Sequence, residues 1–182
     1  MEILPGTLAD TLIIKPVRHV DARGYFCETF RADEFDRAAG RHVDFVQENE
    51  SLSSRGVVRG LHFQAGEHAQ AKLVRVSEGR IVDVVVDLRR HSPTFGRHMC
   101  IELSSDDGLM LFVPRGFAHG FAVLSDVARF QYKVDNYYCP SAERTLRFDD
   151  PALGIDWPLG RADMILSPKD LKGSSWADTE KF

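Results

Sequence analysis

Cysteine is scarce and scattered in this chain: Cys27, Cys100 and Cys139 are its only three. An odd number with no CxxC spacing argues against a disulfide framework or a thiolate zinc centre, and suits reduced thiols in the cytoplasm. Long apolar runs are missing too, so no segment offers the roughly 20 residues a membrane span needs. The opening MEILPGTLAD lacks the basic and apolar regions of a signal peptide. No Ser/Gly linker, low-complexity tract or internal repeat divides the 182 residues, which read as a single domain over 1–182. Charge bias is also weak. A net charge of −4 gives no reason to expect nucleic acid or an anionic membrane as partner. Affinity for phosphate has to come from a local cluster of basic residues.

What the chain has in abundance is short apolar or alternating runs rich in Val, Ile and Phe. TLIIKPV, GYFCETF, VDFVQEN, GVVRGLHF, KLVRV, RIVDVVVDL, HMCIEL, LMLFVP, HGFAVL and ARFQYKV all read as strands. Turn-forming SSRG, SEGR, HSPTFG, SSDDG and SDVA separate them. This pattern predicts an all-β sandwich or barrel. ADEFDRAAG, residues 32–40, predicts one short helix ended by a glycine, and residues 168–171 a helical turn.

RGVVRGLHFQ, residues 55–64, places Arg59 and His62 inside an otherwise buried strand. GLMLFVPRGFAH, residues 108–119, resembles the second motif of the cupin superfamily, which builds jelly-roll barrels. In metal-binding cupins its histidine, here His119, joins two histidines and a glutamate of a first motif, which here begins at His62. The second histidine is replaced by Gln64, and His68 and Ala69 stand where the glutamate is expected. An amide is a poor ligand for a transition metal, so no metal is expected. A metal-dependent isomerase or dioxygenase using His62, His68 and His119 stays as the competing enzyme class, and a non-catalytic sugar-nucleotide-binding barrel as a third reading.

Several polar side chains remain on apolar strands. Each alone has a structural explanation: a lysine guarding a strand edge, a tyrosine packing its ring. Together, His62 supplies a base, Tyr132 a phenol acid, Lys72 a cation for an oxyanion, and Arg23 and Arg59 cations for phosphate. Glu28, Gln47 and Asn49 add to the set. Proton abstraction beside a carbonyl needs such a base and such a cation. An acid on the opposite face returns the proton with inversion, and epimerisation of this kind uses no metal or redox cofactor.

DARGYFCETFR, QENESLSSRGVVRGLHFQ, QAKLVRV, DVVVDLRRHSPTFG, VPRGFAHGFAVLS, FQYKVDNYYCPSAER, RFDDPALGIDWP and ILSPKD together resemble the dTDP-4-dehydrorhamnose 3,5-epimerases, in family order over roughly residues 10–170. The resemblance implies a cupin-type jelly roll and epimerisation of dTDP-4-dehydro-6-deoxy-D-glucose at C3 and C5 to dTDP-4-dehydro-L-rhamnose. It makes His62 the base, Asp170 the carboxylate that orients it, Tyr132 the acid and Lys72 the enolate stabiliser. Its substrate-binding positions fall on Arg23, Glu28, Gln47, Glu48, Asn49, Arg59, His119, Glu143 and Lys169, with Tyr138 beside the sugar or the thymine. It further implies a homodimer in which an N-terminal strand crosses to the neighbouring barrel and brings Arg23 and Glu28 to its pocket. Glu50 stands where many relatives carry histidine, and Ala71 replaces a frequent glycine. Relatives in antibiotic-sugar pathways invert one centre only. The tail after about residue 170 carries no usable motif.

Side chains of a regular strand alternate faces, so Arg59 and His62, three apart, would point oppositely. If both serve one pocket, the strand has to break its alternation, and Gly60 is the predicted place.

Overall fold

A computed structural model describes residues 1–182 as two facing antiparallel sheets. The first sheet has the order β1 (Glu2–Pro5), β2 (Leu12–Lys15), β10 (Met110–Val113), β7 (Lys72–Glu78), β12 (Val127–Val134), β5 (Gln47–Ser54). The second has the order β13 (Glu143–Thr145), β6 (Val58–Gln64), β11 (Phe117–Val123), β8 (Arg80–Asp87), β9 (His98–Ser104). A separate hairpin joins β3 (Arg18–Asp21) to β4 (Gly24–Cys27). The run of short strands predicts a sandwich or barrel, and the fold is the jelly roll of cupin type that the resemblance implies. No helix is long and apolar enough to cross a membrane.

Alternation along the strands decides which side chains enter the sandwich. In β8, Ile81 and Val85 join Val74, Val76, Leu111, Phe117, Phe121 and Phe130 in the core between the sheets. Val84, Val86 and Leu88 pack on the opposite face with Leu61, Phe63 and Leu146. A strand buried on both faces reads as continuously apolar, which is why RIVDVVVDL contains so little polar punctuation.

The predicted helix forms over Ala32–Ala39 as α1, and Gly40 ends it at φ +66°. Asp33 and Glu34 in the first turn and Arg37 in the last complement the helix dipole. Phe35 anchors α1 by burying its ring against Phe112, with centroids 5.0 Å apart. Burial of one such ring contributes about 2–3 kcal/mol.

One predicted strand is shorter than expected, and three short ones are added. VDFVQEN becomes strand only from Gln47, because Val43 leaves the sheet to pack with Phe35. β1, β3 and β13, short edge elements, were not read from the sequence. β1 pairs with β2 at the edge of its own sheet, and the β3–β4 hairpin exposes Val20, Tyr25 and Phe26. The tail beyond Asp170 is bound to the body. Ser174 bridges Leu146, Trp176 N–H donates to Asp150 at 2.7 Å, and Phe182 packs its ring on Phe63.

Candidate active site

One end of the sandwich stays open as a cavity of about 280 Å3 between the sheets. Its walls carry His62 from β6 and His119 from β11 on one side, Tyr132 from β12 and Lys72 from β7 on the other. Arg59, Tyr138, Glu143 and Lys169 line it as well.

Strand β6 brings both of its polar residues to this cavity by breaking register. His62 pairs with His119, yet Arg59 pairs with Phe121, so three steps on β6 oppose two on β11. Gly60 is the extra residue, at φ +123°. A Cβ there would lie 2.6 Å from the Gly120 Cα and 2.8 Å from the His119 carbonyl oxygen, so the close approach of the two strands requires glycine.

His62 is held by Asp170, with Nε2 2.6 Å from Oδ1. Asp170 is almost wholly buried and accepts from the Ser167 hydroxyl at 2.7 Å. Burial works to raise its pKa, but the bonds from His62 and Ser167 outweigh this and leave it below the ordinary aspartate value. The carboxylate therefore stays ionised beside the imidazole.

Lys72 reaches toward the His62 carbonyl, 3.4 Å away. Desolvation lowers its pKa to about 8, against the favourable fields of Asp83 and Glu143. Burial raises the Tyr132 phenol above its ordinary pKa, partly offset by a hydrogen bond with Asn49. His119 lies with its Nε2 2.9 Å from Asp83 Oδ2. Its pKa is nonetheless lowered, chiefly by burial and further by the Lys72 and His62 charges.

At the mouth, Arg59 donates to Ser53 at 3.0 Å, and Lys169 pairs with Glu143 at 2.6 Å. The Tyr138 hydroxyl donates to the same carboxylate at 3.0 Å. Burial acts to raise the Glu143 pKa, but the bonds from Lys169 and Tyr138 bring it below the ordinary glutamate value. Gln47 and Asn49 sit side by side on the partly buried face of β5, bonded at 2.8 Å.

Three candidates stand elsewhere in this chain. Glu48, between Gln47 and Asn49, points to the outer face by simple alternation and pairs with Lys133 at 2.8 Å. Arg23 sits at the tip of the β3–β4 hairpin, 89% exposed and paired with Asp21. Glu28 follows that hairpin in an exposed position. His68, the third histidine of the metal reading, does not line the cavity. No three His, Cys, Asp or Glu side chains gather closely enough to hold a metal ion.

Sequence reasoning missed Asp83, Ser167 and Ser53. Asp83 left a usable signal, since a carboxylate inside RIVDVVVDL has to find a buried partner. Ser167 and Ser53 left none, because serines in loops and edge strands are common.

The family described as dTDP-4-dehydrorhamnose 3,5-epimerase matches residues 5–178. Over its full length the chain is 43% identical to the dTDP-4-dehydrorhamnose 3,5-epimerase of Shigella flexneri, covering 99% of that protein. It is 50% identical to a Neisseria gonorrhoeae protein of the same name, along all of this chain and 54% of that one. The solved dTDP-4-dehydrorhamnose 3,5-epimerase of Elizabethkingia anophelis has a TM-score of 0.95 at 49% identity, covering 98% of this chain and 97% of that one. A dTDP-6-deoxy-D-glucose-3,5-epimerase of Legionella pneumophila, solved in complex with dTDP-4-keto-L-rhamnose, has a TM-score of 0.90 at 44% identity, covering 94% of this chain and 90% of that one. On sequence and fold together, the chain belongs to the dTDP-4-dehydrorhamnose 3,5-epimerase family.

Proposed function

We propose that this protein epimerises dTDP-4-dehydro-6-deoxy-D-glucose at C3 and C5, with His62 as base and Tyr132 as acid on opposite walls of one cavity. The observation that carries this reading is the placement of those two groups on facing sheets, with Lys72 between them on the Tyr132 side. The C4 ketone acidifies both neighbouring C–H bonds. His62 takes the C5 proton, the C5–H electron pair becomes an enolate with its charge on O4, and the Lys72 ammonium stabilises that oxygen. Tyr132 then delivers its phenolic proton to the other face of C5, inverting the centre. Exchange with solvent restores His62 and Tyr132, and the same steps follow at C3. Desolvation keeps Tyr132 protonated and ready to donate, while ionised Asp170 orients His62 and stabilises the imidazolium.

Arg59 and Lys169 suit the diphosphate, since cations at a cavity mouth favour an anionic ligand. Gln47, Asn49, His119, Tyr138 and Glu143 line or border the same space and bind the nucleotide sugar. Work on a soluble nucleotide sugar fits a cytoplasmic enzyme. Arg23 and Glu28 act in the cavity of a second copy: the β3–β4 hairpin offers Val20, Tyr25 and Phe26 as an apolar surface for a homodimer. On this reading, mixing Arg23→Ala with His62→Asn protein restores partial activity, and complete inactivity of the mixture overturns the shared site.

Turnover in D2O tests the chemistry. Solvent deuterium is expected at C3 and C5 of the product, and His62→Asn should abolish both. Label at C3 alone reduces the reaction to a single inversion, and exchange that survives in His62→Asn removes that residue as the base.

A further inference from the structure

Gln64 follows His62 by two residues in β6, is almost wholly buried, and has no part in the proton transfers above. Although it borders the cavity, its amide is committed to two loops, the one that follows β6 and the one that follows β12. Nε2 donates to the carbonyls of His68 at 2.8 Å and Tyr137 at 3.1 Å. Oε1 accepts from the Cys139 N–H at 2.6 Å. One side chain therefore fixes the main chain on both sides of Tyr138.

The ring between those anchors is held from the same strand pair. Glu143, which accepts from the Tyr138 hydroxyl, stands opposite Gln64 in the β13–β6 register. The Tyr138 N–H donates to Gln47 Oε1 at 3.3 Å. Neighbouring contacts secure the base of the loop, with Gln70 Nε2 donating to the Asn136 carbonyl at 2.8 Å. Only an amide meets all of Gln64's partners. A carboxylate would turn an oxygen toward two carbonyls, and an apolar side chain would leave buried backbone groups unpaired.

We infer that Gln64 is a positioning residue that sets Tyr138 over the cavity mouth and so governs affinity for the nucleotide sugar more than proton transfer. This inference rests on the proposed function, in which Tyr138 contacts the substrate. It explains why β6 carries an amide two residues after its catalytic histidine: the position is occupied by a loop clamp.

A double-mutant cycle tests it, with kcat and KM measured for Gln64→Met in the wild-type and Tyr138→Ala backgrounds. Gln64→Met should raise KM about tenfold, with kcat changed less than about threefold. In the Tyr138→Ala background the same substitution should raise KM less than about twofold, because residues acting through one another are non-additive. Equal factors in both backgrounds, or a fall in kcat at constant KM, overturn the clamp. Gln64→Glu covers the case in which Gln64→Met folds poorly. Its KM relative to wild type should fall as pH is lowered, since the protonated acid regains a donor for the carbonyls, and a pH-independent ratio counts against the clamp. Deuterium exchange by the wild-type enzyme is the internal control: its absence refutes the epimerase reading itself, whereas exchange with an unchanged KM in the variants refutes only the role of Gln64.

Discussion

Lys72 couples catalysis to stability, and Lys72→Met separates the two. Desolvation lowers this ammonium from the ordinary lysine value of 10.5 to about 8. At about 1.4 kcal/mol per tenfold change in proton affinity, keeping the charge in the cavity costs about 3 kcal/mol at neutral pH. The side chain is only partly enclosed, so screening brings the expected gain for Lys72→Met nearer to about 2 kcal/mol. For a chain of this length that corresponds to a rise in Tm of about 4–8 °C. The sign is fixed by linkage. Between pH 8 and 10.5 the unfolded chain binds a proton that the folded chain releases, so wild-type stability rises with pH there. The advantage of Lys72→Met should shrink over the same interval. Its turnover should fall about 10²–10³-fold, the usual loss when one oxyanion-stabilising group is removed. Thermal melts at several pH values and turnover measured by NMR check both halves. A Tm below wild type at pH 7, or an advantage that does not narrow toward pH 10, refutes the desolvation argument; undiminished turnover refutes the role at O4.

Wild-type turnover should decline as pH rises through about 8, where Lys72 loses its proton, and a rate that is flat from pH 7 to 10 contradicts this. Gly60→Ala places a methyl against the Gly120 backbone at a left-handed position; it should cost at least about 2 kcal/mol in denaturant melts and remove most activity. Asp170 and Glu143 titrate below their ordinary values, so their contribution is complete above the unfolded carboxylate pKa of about 4 and disappears as pH falls through the folded values. Asp170→Asn should accordingly soften the loss of stability on acidification, and an unchanged acid profile argues against an ionised Asp170.

The sandwich was legible because alternation and turn residues are local signals. Val82, Val84 and Val86 against Ile81 and Val85 show both buried faces of β8 in the letters alone. The helix over residues 32–40 carried its own stop in Gly40. The bulge followed from demanding that Arg59 and His62 share a pocket, and the register slip lies at the glycine between them. Alternation also contained the answer for Glu48: with Gln47 and Asn49 inward, the residue between them has to face out. Asp170 was beyond local reasoning, because its bond to His62 spans 108 residues and arises only when the tail folds back over β6. β13 was illegible for a related reason, since its partner β6 is distant in sequence; β1 and β3 pair locally with β2 and β4, but four residues each leave little alternation to read.

The central claim is that base and acid stand on opposite faces of the sugar, and Tyr132→Phe tests it most directly. In this variant His62 still removes the protons and can return them only from its own side. Incubation of the nucleotide sugar with Tyr132→Phe in D2O, followed by NMR, should give deuterium at the exchanging carbon with the original configuration kept. Inversion at the wild-type rate would contradict the account.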